Sequence, residues 1–412
     1  MREMKDSGVA WIGEIPEEWI IQTVKNYFLI TRGRVIAKTE IEDEELDNYY
    51  PVYSSQTKNN GCLGYIPEFD FECDSLTWTT DGANAGTVFI RQGKYSITNV
   101  CGILLPKNNN FYLKYAHYSI GYSAMHSRRA DINGYKIMSN EMATIPFVFP
   151  PLSEQQIIAT YLDQKCTLID ALIANQQKHI EKLKAYKQSL ITETVTKGLN
   201  PDVPMKDSGV EWIGEIPEGW DILQLSSVVT ERKHKNIGMI ETNLLSLSYG
   251  NVIIKNINTT DGLLPESFEG YNIIEAGDIV LRLTDLQNDH KSLRSGLCTE
   301  RGIITSAYVT LANRGGTLIS EYLHYLLHTF DIYKGFYGMG AGVRQGLNFD
   351  GIKKILLTRP KIEEQQAIVS YLDQKCTQID NLISIKQRKI EKLQQYKKSV
   401  IYEYVTGKKE VK

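Results

Sequence analysis

The chain repeats itself, and this limits its fold more than any other feature. Met4-Lys5-Asp6-Ser7-Gly8-Val9-Ala10-Trp11-Ile12-Gly13-Glu14-Ile15-Pro16-Glu17-Glu18-Trp19 returns as Met205 to Trp220, identical at 14 of 16 positions and offset by 201 residues. A second repeat has an offset of 210. It pairs Glu154-Gln155-Gln156 with Glu364-Gln365-Gln366, Tyr161-Leu162-Asp163-Gln164-Lys165-Cys166-Thr167 with Tyr371 to Thr377, and Ile180-Glu181-Lys182-Leu183 with Ile390 to Leu393. The segments between, about 20–150 and 221–360, share little identity. Their faint landmarks are Tyr112-Leu113-Lys114-Tyr115, aligned with Tyr322-Leu323-His324-Tyr325 at offset 210, and Thr98 with Thr305. The order is variable module, shared segment, variable module, shared segment, which predicts one fold built twice with divergent surfaces. A length of 412 residues accommodates two such modules, each with its own core.

The shared segments 150–200 and 360–405 carry helical periodicity. Ile158, Leu162, Ile169, Leu172, Ile173, Ile180, Leu183 and Leu190 fall at three-, four- and seven-residue spacings. Ile368, Leu372, Ile379, Leu382, Ile383, Ile390, Leu393 and Val400 match them position for position. Each set predicts a helix of about 43 residues, roughly 65 Å long, with one apolar stripe. Pro150-Pro151 leads into Ser153-Glu154-Gln155-Gln156, read as a capping box with Ser153 as N-cap, and Gly198 and Pro201 stop the first helix.

A rod with one stripe cannot bury that stripe alone. The economical solution is an antiparallel coiled coil of the two copies, since the chain traverses a whole module between them. Its packing residues would be Ile158, Leu162, Ile169, Ile173, Ile180 and Leu183 against Ile368, Leu372, Ile379, Ile383, Ile390 and Leu393. The alternative packs each helix on its own module. The modules read as short strands broken by turns: Gly277 to Leu283 alternates like a strand, and Ser320 to His328 has a cap and helical spacing. The expected fold class is α+β, two globular modules joined by two long antiparallel coiled-coil helices with a pseudo-two-fold internal repeat. The expected divisions are 1–150 (repeat segment and first module), 151–204 (first long helix and linker), 205–360 (repeat segment and second module) and 361–412 (second long helix).

Chemistry is harder to find. Six scattered cysteines without a C-x-x-C pair suit reduced thiols and argue against structural zinc. No apolar run reaches the roughly 18 residues that cross a bilayer, and the first residues form no signal peptide, so a cytoplasmic location is expected. Phe149-Pro150-Pro151-Leu152 lacks the flanking polar and aromatic residues of a methyltransferase base-binding loop, and no P-loop occurs. Gly338-Met339-Gly340-Ala341-Gly342 follows a helical pattern, whereas a dinucleotide loop joins a strand to a helix. It reads either as a plain loop or as a backbone that approaches phosphates with Arg344 reaching. His324 and His328 have metal-ligand spacing but no third ligand, and the acidic run Glu40 to Asp47 would repel a polyanion.

What remains is recognition chemistry. The net charge of −3 gives no nucleic-acid signature, so DNA binding would have to come from local patches. In the first module Lys58, Thr80, Asn84, Arg91, Arg128 and Arg129 fall in predicted turns, interleaved with Tyr53, Trp78 and Tyr95. In the second, Arg232, Lys233, Lys235, Arg282, Lys291, Arg294, Arg344 and Gln345 do the same. Arg and Lys suit phosphates and guanine edges, Asn and Gln adenine edges.

Taken together, the twice-occurring Met205-to-Trp220 motif ahead of a variable module and Pro150-Pro151-Leu152-Ser153-Glu154-Gln155-Gln156 at a long helix resemble the specificity subunit of type I restriction-modification systems. The resemblance covers essentially the whole chain. One departure is Arg359-Pro360-Lys361-Ile362, which lacks the double proline and Ser cap and leaves the start of the second helix open.

The resemblance implies a subunit without a catalytic or metal site that binds no cofactor itself. Each module would be a target recognition domain reading half of a bipartite DNA sequence, with the helices setting the spacer. Two modification subunits would dock on the helices and supply S-adenosylmethionine and adenine-N6 methylation; restriction subunits would supply ATP- and Mg-dependent translocation and cleavage. Two other readings stand beside it. Methyl transfer by the chain alone would mark a self-contained enzyme, and absence of salt-dependent duplex binding would mark a coiled-coil scaffold with protein- or glycan-binding modules.

Overall fold

The computed structural model describes residues 2–132, 134–257, 265, 267–286, 293–339 and 346–411. The chain forms two compact units, one of residues 1–177 with 388–412 and one of residues 178–387.

In the first unit, strands β1 (Phe28–Arg32), β2 (Ser75–Thr79), β3 (Val88–Arg91) and β4 (Cys101–Pro106) make an antiparallel sheet in the order β3-β2-β4-β1. Helix α1 (Leu113–Ser127) packs on it through Ala116, Ile120 and Ala124, which share a core with Leu76, Trp78 and Leu104. Gly102 on β4 lies opposite Trp78, and a Cβ there would fall 2.1 Å from the indole, so the ring sits flat against bare backbone. The first long helix, α2 (Leu152–Lys197), begins in this unit.

The second unit repeats the sheet. Strands β5 (Val229–Glu231), β6 (Ile279–Leu281), β7 (Ser295–Leu297) and β8 (Val309–Asn313) order as β7-β6-β8-β5, accompanied by helix α3 (Ser320–Ile332) and the long helix α4 (Ile362–Val405). All three residues of β6 are buried, so this strand lies inside the core rather than half-exposed as its alternation predicts.

Strand register corrects the sequence alignment. Pro106 pairs with Phe28 and Asn313 with Val229, so β4 and β8 are related by 207 residues. Tyr115 is therefore the counterpart of Tyr322, not of Tyr325. The hydroxyl of Tyr115 donates to the carbonyl of Val405, and that of Tyr322 to the carbonyl of Val195, 210 residues earlier. The hydroxyls of Tyr118 and Tyr325 likewise reach Asp163 and Asp373 at 2.8 and 2.6 Å. The offset grows in steps, six residues among the strands and three between the short and the long helix, and a single offset of 210 misplaces everything between.

The repeated motif is a β-hairpin, Met4–Asp6 with Glu14–Pro16 and Met205–Asp207 with Glu215–Pro217. Its terminal tryptophan clamps a helix start: the Nε1 of Trp19 donates to Glu154 at 3.2 Å, and that of Trp220 to Glu364 at 3.0 Å. Ser153 is not the N-cap, because α2 already begins at Leu152. The terminus is fixed by Gln155, whose Nε2 donates to the carbonyl of Pro150 and whose Oε1 accepts from the backbone of Tyr112. Gln365 does the same with Pro360 and Ile319. Helix α4 thus starts at Ile362, the equivalent of Leu152, without a second proline or a serine.

In each unit a stretch of α2 lies antiparallel to a stretch of α4. In the first unit Asp170 pairs with Lys397 and Tyr161 with Tyr404; in the second Lys187 pairs with Asp380 and His179 with Lys386. One number rises as the other falls. Ile158, Leu162, Ile169, Ile180, Ile368, Leu372, Ile379 and Ile390 are buried, and Ile173, Leu183, Ile383 and Leu393 are half-buried. Leu172 and Leu382 leave the stripe and stay exposed. Among the described residues no helix is long and apolar enough to cross a membrane, and the cysteines are unpaired.

The short helices carry half-buried imidazoles. Burial pushes His117, His324 and His328 down to about 4. Each is neutral in the fold and takes up a proton near pH 6.5 when unfolded, so its contribution to stability is present above pH 6.5 and lost as the pH falls toward 4. The folding constant should drop about tenfold per pH unit for each histidine in that window. The second unit, with two pushed to about 4 against one in the first, where burial also lowers His126, should be the more acid-sensitive in urea titrations at pH 7 and 5. Equal pH dependence of both units, or none, would contradict this.

Candidate nucleic-acid interface

In the first unit the surface is built around a short ribbon. Strands Arg129–Asp131 and Gly134–Lys136 pair with each other, and the second also pairs with Asp81–Gly82. Gly134 has φ +120°, and a Cβ there would lie 3.0 Å from the backbone nitrogen of Ala83, so only glycine lets the ribbon cross the 81–85 turn this closely. The guanidinium of Arg128 donates to the carbonyls of Ala83 and Ala85 and lies 3.8 Å over the Tyr135 ring. Exposed Asn84 reaches across to the Thr57 hydroxyl at 3.2 Å, beside exposed Lys58. Asn59 and Asn60 have φ 48° and 51°, a left-handed pair that asparagine tolerates and that turns this loop. Arg129 pairs with Glu141 at 2.7 Å. Lys58, Asn84, Arg128 and Arg129 therefore belong to one connected surface.

Three predicted contacts are not on a surface, and this corrects the sequence reading. Thr80 is buried, its hydroxyl donating to Asp81 and the carbonyl of Val100. Arg91 is 1% exposed. Its guanidinium lies 3.5 Å over Tyr53, with Nε donating to Thr77 and Nη1 to the carbonyl of Asn60. Burial pushes it below its ordinary value. It holds the 58–61 loop from beneath and so positions Lys58. Arg294 is fully buried, donating to Tyr337 and to the carbonyls of Arg282, Thr284 and Asp285. Both arginines satisfy loop backbone from within the core, where long stems pack against aromatic rings. The supposedly interleaved Trp78 and Tyr95 are also core residues.

The second unit places Arg232 against buried Asp278. Lys233 pairs with Glu231 at 2.7 Å, and exposed Lys235 donates to the carbonyl of Gly270. Arg282 is half-buried. Lys291, Arg344, Gln345 and the Gly340–Gly342 part of the glycine-rich loop lie outside the described residues. His324 and His328 lie half-buried side by side, ring centroids 6.2 Å apart, and among the described residues no three His, Cys, Asp or Glu side chains are grouped to hold a metal.

Sequence reasoning missed the ribbon, although Asn133-Gly134 is a hairpin signal. It also missed that the long helices keep several large apolar side chains exposed. Leu172 and its counterpart Leu382 are exposed, as are Tyr186 and its counterpart Tyr396, each tyrosine at 56%.

The chain is similar to known proteins in sequence and in fold. The family model of the type I restriction modification DNA specificity domain matches residues 16–187. The N-terminal part of a Mycoplasma pneumoniae protein described as a putative type I specificity subunit is 41% identical over 34% of this chain and 74% of its own length. A Methanocaldococcus jannaschii specificity subunit of a type I restriction enzyme is 27% identical over 97% of this chain and 94% of its own. One solved structure, described as concerning complex assembly and conformational transition of the type I R-M system, has a chain similar over 95% of this one and 99% of its own, with a TM-score of 0.65 at 12% identity. That likeness is one of fold.

Proposed function

Because the chain belongs to the type I restriction-modification specificity subunits, we propose that its two units read the two halves of a split DNA target and that the paired long helices fix the unread spacer. It is the non-catalytic, sequence-reading subunit of such a system, with methylation and cleavage carried by other subunits. One observation carries this reading: the frame of hairpin, tryptophan clamp, glutamine-fixed helix start and antiparallel pairs is built twice, around two different surfaces. Equal frames give equal docking, and different surfaces give two sequences.

Duplex DNA and the modification and restriction subunits are the partners in this reading. Each unit exposes one leucine and one tyrosine of the long helices, Leu172 and Tyr396 in the first and Tyr186 and Leu382 in the second, which supports two modification subunits, since each copy would meet the same kinds of side chain. S-adenosylmethionine, ATP and Mg²⁺ are assigned to those partners, and the place of action to the cytoplasm, where the DNA is.

The test is a genome-wide map of adenine methylation in matched cells with and without the gene, the modification partner present in both. A split motif with a fixed gap, seen only with the gene, is the expected result; identical maps would refute the reading. At residue level, Lys58→Ala is expected to weaken binding of the complex to all duplexes alike and to lower the slope of log affinity against log salt by about one. Anisotropy titrations at three salt concentrations measure this, and an unchanged slope would remove Lys58 from the phosphate contacts.

A further inference from the structure

We propose that Ile132 is a wedge that enters the DNA at the half-site of the first unit, unstacking one base step; the inference rests on the DNA-reading function above. Ile132 directly follows Arg129–Asp131 and lies between Asp131 and Gly134, which pair across the ribbon. It is 99% exposed, the most exposed large apolar side chain among the described residues. Turn positions ordinarily take Gly, Asn, Asp or Ser, and an isoleucine held out at this tip is open to an apolar partner.

The charges around the ribbon name that partner. The ribbon's carboxylates are already occupied, Asp81 and Asp131 by Lys136 at 3.1 and 3.9 Å, and Glu141 by Arg129 at 2.7 Å. Among the described residues no ion pair neutralises Arg128 or Lys58: Arg128 is held by the carbonyls of Ala83 and Ala85 and by the Tyr135 ring, and Lys58 is exposed, so both charges stay available to an anion. Cationic groups on the same surface as an apolar tip fit phosphates beside stacked bases. A two-stranded ribbon is narrow enough to enter a groove, and isoleucine is one of the side chains that insert between base steps. Anchoring by Gly134 against the 81–85 turn makes the ribbon a rigid lever, so insertion need not bend the protein. The unstacked step should be pyrimidine–purine, the kind most easily kinked.

The test uses the full chain assembled with its modification subunit and a duplex carrying the mapped motif, with 2-aminopurine placed at successive positions of each half. Beyond any rise at the adenines that the modification subunits extrude for methylation, wild-type protein is expected to raise the fluorescence at one further step, in one half only. Ile132→Ser should abolish that rise and lower affinity for the motif about tenfold or more, while leaving the salt slope unchanged because no charge is removed. Ile132→Leu should restore both. The side chain stands in solvent, so the melting temperature should not move. Wild-type fluorescence and affinity in Ile132→Ser would overturn the wedge. Affinity lost only in step with lost assembly would also overturn it and make Ile132 a protein contact. A wild-type complex that selects no motif would refute the DNA-reading function itself, and the wedge with it.

Discussion

Four extra helical residues after Ile173, matched by four after Lys392, are expected to leave both half-sites unchanged and lengthen the unread spacer by about one to two base pairs. Each insertion adds about 6 Å of helix, against about 3.4 Å per base pair of duplex. Along α2 the first point lies between Asp170 and His179, and along α4 the second lies between Lys386 and Lys397, so matched insertions keep both pairings, Asp170 with Lys397 and His179 with Lys386. Methylation at the original spacing should fall to background and reappear at the longer one. A motif with an unchanged gap would mean that the helices are not the ruler. An insertion in α2 alone breaks the pairing and should abolish methylation at every spacing.

Tyr186→Asp together with Tyr396→Asp is expected to abolish methylation by removing both modification subunits. These rings are exposed at equivalent places on α2 and α4, and a carboxylate in the centre of an apolar contact is costly to desolvate. A contact of this kind typically changes affinity by 10²-fold or more when a central aromatic is lost. Either substitution alone should leave an assembly with one modification subunit in place of two, resolved by native mass spectrometry. DNA binding by the specificity subunit's own surfaces should not depend on either tyrosine. Full assembly by the double variant would place docking elsewhere.

Repeats and periodicity made the frame legible, because the residues that build it are constrained by geometry that recurs. Trp19 and Trp220, Glu154 and Glu364, and Gln155 and Gln365 occupy the same spacing because they meet the same backbone. The register between the modules was not legible. Loops of different length shift the offset in steps, and only strand pairing shows that Tyr115 answers to Tyr322. Ser153 looked like a cap because the capping motif is local, whereas Gln155 ties the helix start to Tyr112, 43 positions away.

The candidate surface was legible only in part. Residue type marked Lys58, Asn84, Arg128 and Arg129 as well as Arg91, Arg294 and Thr80, and nothing in the sequence separates the two groups. Tertiary structure separates them: the first four stand on loops at the ribbon, and the last three satisfy backbone inside the core. The sequence alone determined a doubled α+β chain with two long helices and two unlike modules, since repetition and apolar spacing are properties of order along the chain. Which arginine faces solvent and which is buried, and which apolar residue stands at a tip, depended on contacts between residues far apart in the chain. Burial is decided by what packs around a side chain, and that neighbourhood exists only once the fold has formed.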